Sequence, residues 1–221
     1  MIFLVLPAFN EEQKIGRVIR GLFEHGYKNI VVVDDGSSDN TFQEAQAAGA
    51  TVVRHQINRG QGAALQTGNE FAIKNGAETI VHFDSDGQFN VVDIATGLEL
   101  LKNKNLDIVF GSRFLDNRSK IPFFKKYFIL PISRFINNFF TGLKLTDVHN
   151  GFRIMTRESA QKITISQDKM AHNTEIPRQV KDNNLRYGEL PVEVVYLENG
   201  QGVVGGFKIL FDLLVSKFSK L

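Results

Sequence analysis

The chain has 221 residues, 43% of them hydrophobic and 23% charged, with a formal net charge of +2; this is enough chain to bury one sizeable core and the composition of an ordinary folded protein rather than a disordered one. So small a net charge gives no electrostatic case for nucleic acid, and the absence of cysteine excludes disulfides, thiolate catalysis and zinc-thiolate sites. No stretch reaches the roughly 18 apolar residues of a membrane span, and the chain opens directly on a strand-like run with no basic leader, so as given it is expected not to cross a membrane.

Short apolar runs alternate with amphipathic ones through the first half, the pattern of βαβ units around a mostly parallel sheet flanked by helices. Residues 2–6 read as the first strand and Pro7-Ala8-Phe9-Asn10 as the turn leaving it. Ile15, Val18, Ile19, Leu22 and Phe23 then recur at helical spacing, with Glu11 and Glu12 placed in the first turn and Gly26 as the stop. A second strand at 29–33 ends in Asp34-Asp35-Gly36-Ser37-Ser38-Asp39, where Asp39 can cap a helix to about Ala48. A third strand follows at 51–55. Asn58-Arg59-Gly60-Gln61-Gly62-Ala63-Ala64 opens a helix ending near Asn75-Gly76, and its small residues allow close approach to a ligand or to the sheet.

The apolar run at 79–83 reads as a buried strand that delivers Asp84-Ser85-Asp86-Gly87-Gln88 to the carboxyl end of the sheet, where open α/β sheets place their ligands. Two Asp with one residue between them on a turning backbone can converge on one hard divalent cation, and Gln88 adds a neutral oxygen. A polar turn that merely caps a strand has the same sequence, so the motif alone leaves both readings open. A helix at 92–102, a strand at 107–110 and Gly111-Ser112-Arg113 come next.

From 121 to 145 the pattern changes. Phe123, Phe124, Tyr127, Phe128, Phe135, Phe139 and Phe140 are interleaved with Lys125, Lys126, Arg134 and Lys144, which suits a helix lying in a membrane headgroup layer; the alternative is a core helix pair. A turn at 146–151 leads to a strand at 152–155 and a helix from near Arg157. Another helix follows Asn173-Thr174-Glu175 with Pro177 near its first turn, and strand-like runs at 187–190 and 192–196 flank Pro191. A helix at 207–218 closes the chain, and its wide apolar face suits a membrane or a second subunit. None of the five histidines forms a spacing-based metal pair; His82, inside a strand, reads as structural, and His149 is the one with site neighbours.

Four polar loops thus follow strand ends, at 7–12, 34–39, 84–88 and 111–113. If those strands are parallel, the loops line one rim. Crowded carboxylates repel unless a cation joins them, so a divalent metal and a phosphate-bearing ligand are the economical reading, with base and ribose contacts from Asp35 and Glu11. No GxGxxG follows the first strand and no GxxxxGK[ST] occurs, which disfavours dinucleotide enzymes and P-loop NTPases.

Taken together, Pro7-Ala8-Phe9-Asn10-Glu11-Glu12, the Asp34 to Asp39 loop, the Asn58 to Ala64 stretch, Asp84-Ser85-Asp86-Gly87-Gln88, Gly111-Ser112-Arg113 and Asp147-Val148-His149-Asn150-Gly151-Phe152-Arg153 resemble family 2 glycosyltransferases of the GT-A fold. The branch they resemble transfers sugars to dolichyl or polyprenyl phosphates, and the likeness covers about residues 1–196. It implies a GT-A domain at 1–200 with the helix of 201–221 appended. It also implies inverting hexose transfer from a GDP- or UDP-sugar with Mg²⁺ or Mn²⁺. Carried onto this chain, Pro7, Ala8, Glu11 and Asp35 would hold the nucleoside, with Asn10, Gly36, Gln61, Asp84 and Ser85 completing the donor site, and Asp84, Asp86 and Gln88 would hold the metal. Arg113, Arg153 and one of Lys125 or Lys126 would meet an acceptor phosphate.

Asp147 would be a general base if a sugar hydroxyl attacks, and would orient or coordinate if a lipid phosphate does; basic residues close to it favour the phosphate. The resemblance further implies a peripheral protein on the cytoplasmic membrane face, touching lipid through 121–145 and 207–218, with a homo-oligomer left open. Two rivals stand beside it: a transferase extending a surface polysaccharide through a saccharide acceptor, and a catalytically silent nucleotide-sugar-binding subunit. After Tyr196 the chain departs from the family pattern, with Lys208 the next cation where relatives carry an Arg and a Gly-x-Ser-Lys stretch.

Overall fold

The computed structural model describes residues 1–116, 138 and 141–194. The strands are β1 (Ile2–Ala8), β2 (Asn29–Asp34), β3 (Thr51–Arg54), β4 (Thr79–His82), β5 (Ile108–Ser112), β6 (Arg153–Thr156) and β7 (Tyr187–Pro191). The described helices are α1 (Ile15–Glu24), α2 (Thr41–Ala47), α3 (Gln61–Lys74), α4 (Val92–Asn103), α5 (Arg157–Lys162) and α6 (His172–Asp182).

One sheet carries all seven strands in the order β3-β2-β1-β4-β6-β5-β7. Strands β1, β2, β3 and β4 pair in parallel, β7 runs parallel to β5, and β6 is antiparallel to both β4 and β5. Strand β1 is a continuous apolar run because helices cover both faces of the sheet. Its alternate residues serve different cores. Phe3 and Val5 pack with Leu65 and Ala72 of α3 and Ile176 and Val180 of α6, while Leu4 and Leu6 pack with Ile15, Ile19 and Leu22 of α1 and Ile94 of α4.

The antiparallel strand decides what meets at the rim. Arg153, the first residue of β6, lies opposite His82 at the end of β4 and opposite Phe110 near the end of β5. The loop before β6 therefore arrives beside the loops that leave β4 and β5. This brings residues 146–152 to Asp84 and Arg113 across a gap in sequence that no local pattern spans.

Several elements differ from their sequence expectation. Glu11 and Glu12 precede α1 instead of forming its first turn, and α6 begins at His172, so Pro177 falls inside the helix and costs one intrahelical hydrogen bond. The run at 187–190 is β7, which includes Pro191; of the run at 192–196, Val194 bridges Phe89 and residues 195–196 lie outside the described residues. Of the segment 121–145, Asn138 and residues 141–145 are described; Leu143 and Leu145 are core residues, and the rest, with the helix expected at 207–218, lies outside the described residues.

Close contact between α3 and the sheet is set by Gly68, where a Cβ would come 2.2 Å from Val5 Cγ1. Overpacking costs about 1–3 kcal/mol, so Gly68→Ala should lower the urea midpoint without changing the slope. Gly21→Ala in α1, where nothing lies within 4 Å, should instead stabilise the protein by roughly 0.5–1 kcal/mol.

Candidate active site

The loops after β1 and β2 are stitched into one wall. Asn10 takes a left-handed backbone (φ 55°), its N–H donates to Ser37 Oγ at 3.0 Å, and its Oδ1 accepts the Ser38 N–H at 3.0 Å. Asn tolerates that conformation better than other side chains. The Glu11 N–H donates to Thr41 Oγ1 at 2.8 Å, and the Glu11 carboxylate pairs with Lys14 at 3.1 Å. Glu12 Oε2 accepts the Asn40 N–H at 3.0 Å, and Asp39 Oδ1 accepts the Thr41 N–H at 3.0 Å where α2 starts.

Asp35, expected at the nucleoside, is buried with both oxygens engaged. Oδ1 accepts from the His55 ring at 2.6 Å and from the Arg59 N–H at 3.0 Å, and Oδ2 accepts the Gly60 N–H at 2.6 Å. It fastens the loop that opens α3. Gly36 (φ 71°) lies against that loop, where a Cβ would sit 2.7 Å from the carbonyl carbon of Ile57. The small residues at the start of α3 likewise answer to protein: the Gly62 N–H donates to the Asp168 carbonyl at 2.8 Å, so this helix end is capped by the chain itself.

Asp84 and Asp86 follow β4. Between them Ser85 is buried and its hydroxyl donates to the Pro7 carbonyl at 2.8 Å, while the Ala8 carbonyl accepts the Asp35 N–H at 2.8 Å. Both Asp are half-buried. Asp84 Oδ1 accepts from Gln61 Nε2 at 3.1 Å, and Asp86 Oδ1 accepts the Gln88 N–H at 3.0 Å across the turn made by Gly87 (φ 75°). Gly151 presses on the other side of Asp84, where a Cβ would stand 2.6 Å from Oδ2. Burial and then the charge of Asp86 push the Asp84 carboxyl up to about 7, against the pull of Arg153, Arg113 and the Gln61 hydrogen bond.

Two hard-oxygen carboxylates that repel in this way fit Mg²⁺ or Mn²⁺. Among the described residues no third His, Cys, Asp or Glu joins them.

A second charged group stands on the β6 side of the rim. Asp147, with its side chain 2% exposed, is gripped by Arg113 in a two-pronged pair, Nε to Oδ2 at 2.7 Å and Nη2 to Oδ1 at 2.9 Å. The loop carrying Asp147 is held through Thr146, whose N–H and hydroxyl both donate to Glu189 at 2.7 Å and whose Oγ1 shares a 2.6 Å hydrogen bond with Ser112. His149 is half-buried, and burial lowers its pKa while Asp147 opposes.

Arg153 is not at the surface. It is 0% exposed, donating through Nη2 to Asn173 Oδ1 at 2.5 Å and through Nη1 to the Gly151 carbonyl at 3.5 Å. Burial brings its pKa down to about 10, against Asp84 and then Asp147, which leaves it cationic at neutral pH. Strand β6 directs the side chain inward, so in this structure Arg153 stands behind the rim beside those two carboxylates. Lys125 and Lys126 lie outside the described residues.

Thr146, Glu189 and Asn173 were missed by sequence reasoning, since each is an ordinary polar residue until the fold brings it to its partner.

The profile of glycosyl transferase family 2 matches residues 3–164. An uncharacterised protein of Methanocaldococcus jannaschii is 38% identical over 98% of this chain and 92% of its own length. The UDP-N-acetylglucosamine–dolichyl-phosphate N-acetylglucosaminyltransferase of Methanococcus voltae is 34% identical over 100% of this chain and 98% of its own. Among solved structures, glucosyl-3-phosphoglycerate synthase from Mycobacterium tuberculosis, in complex with Mg²⁺ and UDP, superposes with a TM-score of 0.69 over 90% of this chain and 72% of that one at 18% identity, a likeness of fold.

Two outcomes follow from the crowding at Asp84. The folded chain keeps a proton there to about pH 7, whereas the unfolded chain loses it near pH ~4. The folded state therefore binds more protons in that window, and its stability should fall as pH rises through it. Added Mn²⁺ should raise the melting temperature more at pH 7.5 than at pH 5.5, and Asp84→Asn should flatten both trends in thermal-shift measurements. Separately, Gly151→Ala should drive a methyl into the Asp84 carboxylate and weaken Mn²⁺ binding, read by electron paramagnetic resonance, by about tenfold or more.

Proposed function

The chain belongs to glycosyl transferase family 2, and from that premise we propose that it moves a sugar from a nucleoside diphosphate donor to a polyprenyl phosphate, inverting the anomeric centre with the help of Mg²⁺ or Mn²⁺. The observation that carries the choice of acceptor is the buried, two-pronged pair of Asp147 with Arg113. A hydroxyl acceptor needs a base it can reach, and the Asp147 carboxylate is 2% exposed and held by three hydrogen bonds from Arg113. A lipid phosphate is an anion before it arrives and needs no base. Arg113, 23% exposed at the rim, brings the positive charge such a phosphate prefers. The similarity to the Methanococcus voltae dolichyl-phosphate enzyme supports the same acceptor class.

Asp84 and Asp86, with Gln88 beside them, would hold the cation. When bound, it neutralises the charge that grows on the departing nucleoside diphosphate. The interlocked wall of Pro7, Ala8, Asn10, Glu11, Gly36 and Ser85, with Gln61 beside Asp84, lines the donor side, and Asp35 keeps the α3 entrance in place. An acceptor phosphate oxygen attacks the anomeric carbon opposite the leaving group. The bond to the donor's β-phosphate oxygen breaks, its electron pair stays on that oxygen, and no proton has to leave the acceptor. Arg153 and Arg113 supply fixed positive charge close to both reacting anions.

A polyprenyl phosphate lies in a membrane, so the reaction belongs at a membrane surface, and we assign contact to 121–145 and 207–218 on the cytoplasmic face. The division into a domain at 1–200 and an appended segment at 201–221 is part of the same reading. Among the described residues no helix is long and apolar enough to cross a membrane.

The test is a transfer assay with labelled UDP- and GDP-sugars, Mn²⁺, and either polyprenyl phosphate or free saccharides. Transfer to the lipid phosphate is expected, with Asp86→Ala reducing it by about a hundredfold or more. Asp147→Asn should retain measurable transfer with an unchanged alkaline pH profile. Exclusive transfer to saccharide hydroxyls, together with an inactive Asp147→Asn, would overturn the acceptor assignment.

A further inference from the structure

Beneath the rim, four buried polar atoms have no hydrogen-bond partner among the described residues: Asn69 Nδ2 on α3, His82 Nδ1 on β4, Arg153 Nε on β6 and His172 Nε2 on α6. Their residues are at most 2% exposed. All four belong to one cluster on one side of the sheet. His82 and Arg153 are cross-strand partners, so their side chains leave the sheet on the same face. The His82 ring is bonded to Asn69 of α3, and Arg153 reaches Asn173, the residue next to His172 in α6. Helices α3 and α6 pack on that same face.

Hydrogen-bond accounting fixes what each orphan needs. Asn69 Oδ1 accepts from His82 Nε2 at 2.8 Å, so that nitrogen carries the proton and Nδ1 is a bare lone pair. His172 Nδ1 lies 2.7 Å from the Lys169 carbonyl, which can only accept, so Nε2 is a bare lone pair as well. Asn69 Nδ2 and Arg153 Nε are donors. Two donors and two acceptors are therefore left in one buried cluster, and buried polar groups are rarely left unsatisfied. An anion would be repelled by the two lone pairs and a cation by the Arg153 charge. Water offers two hydrogens and two lone pairs, the complement of the set.

We propose that the protein binds water in the interior between β4, β6, α3 and α6, as one molecule or a short run, accepting from Asn69 and Arg153 and donating to His82 and His172, and that this water makes Arg153 a positioning residue for Asp84. The guanidinium is then held on its Nη edge by Asn173 and the Gly151 carbonyl and on its Nε edge by the water. Gly151 is also the residue pressed against the Asp84 carboxylate, so the buried network sets where that carboxylate is met from behind. The positioning role rests on the reading of Asp84 as a metal ligand; the water site does not.

A crystal structure of the whole chain at about 1.5 Å, metal-free and with Mn²⁺, tests the first part. Density for one water, or for a run of hydrogen-bonded waters, that together lie within hydrogen-bond distance of at least three of the four atoms is expected in both. Direct bonds among the four side chains, or an empty space between them, would overturn it. Asn69→Leu, remote from the rim, tests the second part. In protein shown to be folded by its urea transition, Mn²⁺ affinity should fall at least about threefold, because losing a shared partner couples residues that do not touch. A peak with unchanged Mn²⁺ affinity would overturn the positioning role. A wild type that binds no Mn²⁺ would count against the assignment of Asp84 as a ligand, and the density would still decide the water site.

Discussion

Two negative charges held close together at the end of β4 organise the molecule. Asp84 cannot ionise freely at neutral pH in its half-buried turn, because burial first and then the charge of Asp86 raise its carboxyl to about 7. The fold tolerates the conflict by surrounding it with compensation: a hydrogen bond from Gln61, a buried Arg153 and, further along the rim, Arg113. None of these removes it. A divalent cation carrying a diphosphate would, which is why the arrangement reads as a site prepared for a partner and not as a settled piece of core.

The cationic side of this balance depends on one topological choice. Strand β6 enters the sheet antiparallel between β4 and β5, and so a loop far along the chain starts at the rim where its neighbours end. Were β6 parallel, Arg153 would sit at the opposite edge of the sheet and Asp147 would be a strand length away from Arg113. The inserted strand thus brings Arg153 beneath Asp84 and Asp147 to Arg113 at once.

Burial divides the candidate residues by role. Asp35, Ser85 and Arg153 are interior and act by holding other groups in place, through a loop, a strand end and a pair of carboxylates respectively. Asp84, Asp86 and Arg113 keep part of their surface at the rim. Residue type alone does not distinguish an Asp that binds a ligand from one that caps a loop, since both present the same carboxylate.

Much of this was legible beforehand for a simple reason: periodicity and turn chemistry are local. The apolar runs of β1, β2 and β4 and the helical spacing of α1, α3 and α4 depend on neighbours a few residues away, and so the order of elements, the mostly parallel sheet and the polar loops at strand ends could be read in one dimension. Motif order added the family. What the sequence left open is set by long-range pairing: that Pro191 is the last residue of β7, that α6 begins before its expected start, and that Asp35 and Arg153 face inward. Each depends on which strand lies next to which. That choice is made when the two hydrophobic faces of the sheet are covered at once, and only the assembled chain fixes which polar groups are left at the edge and which are trapped beneath it.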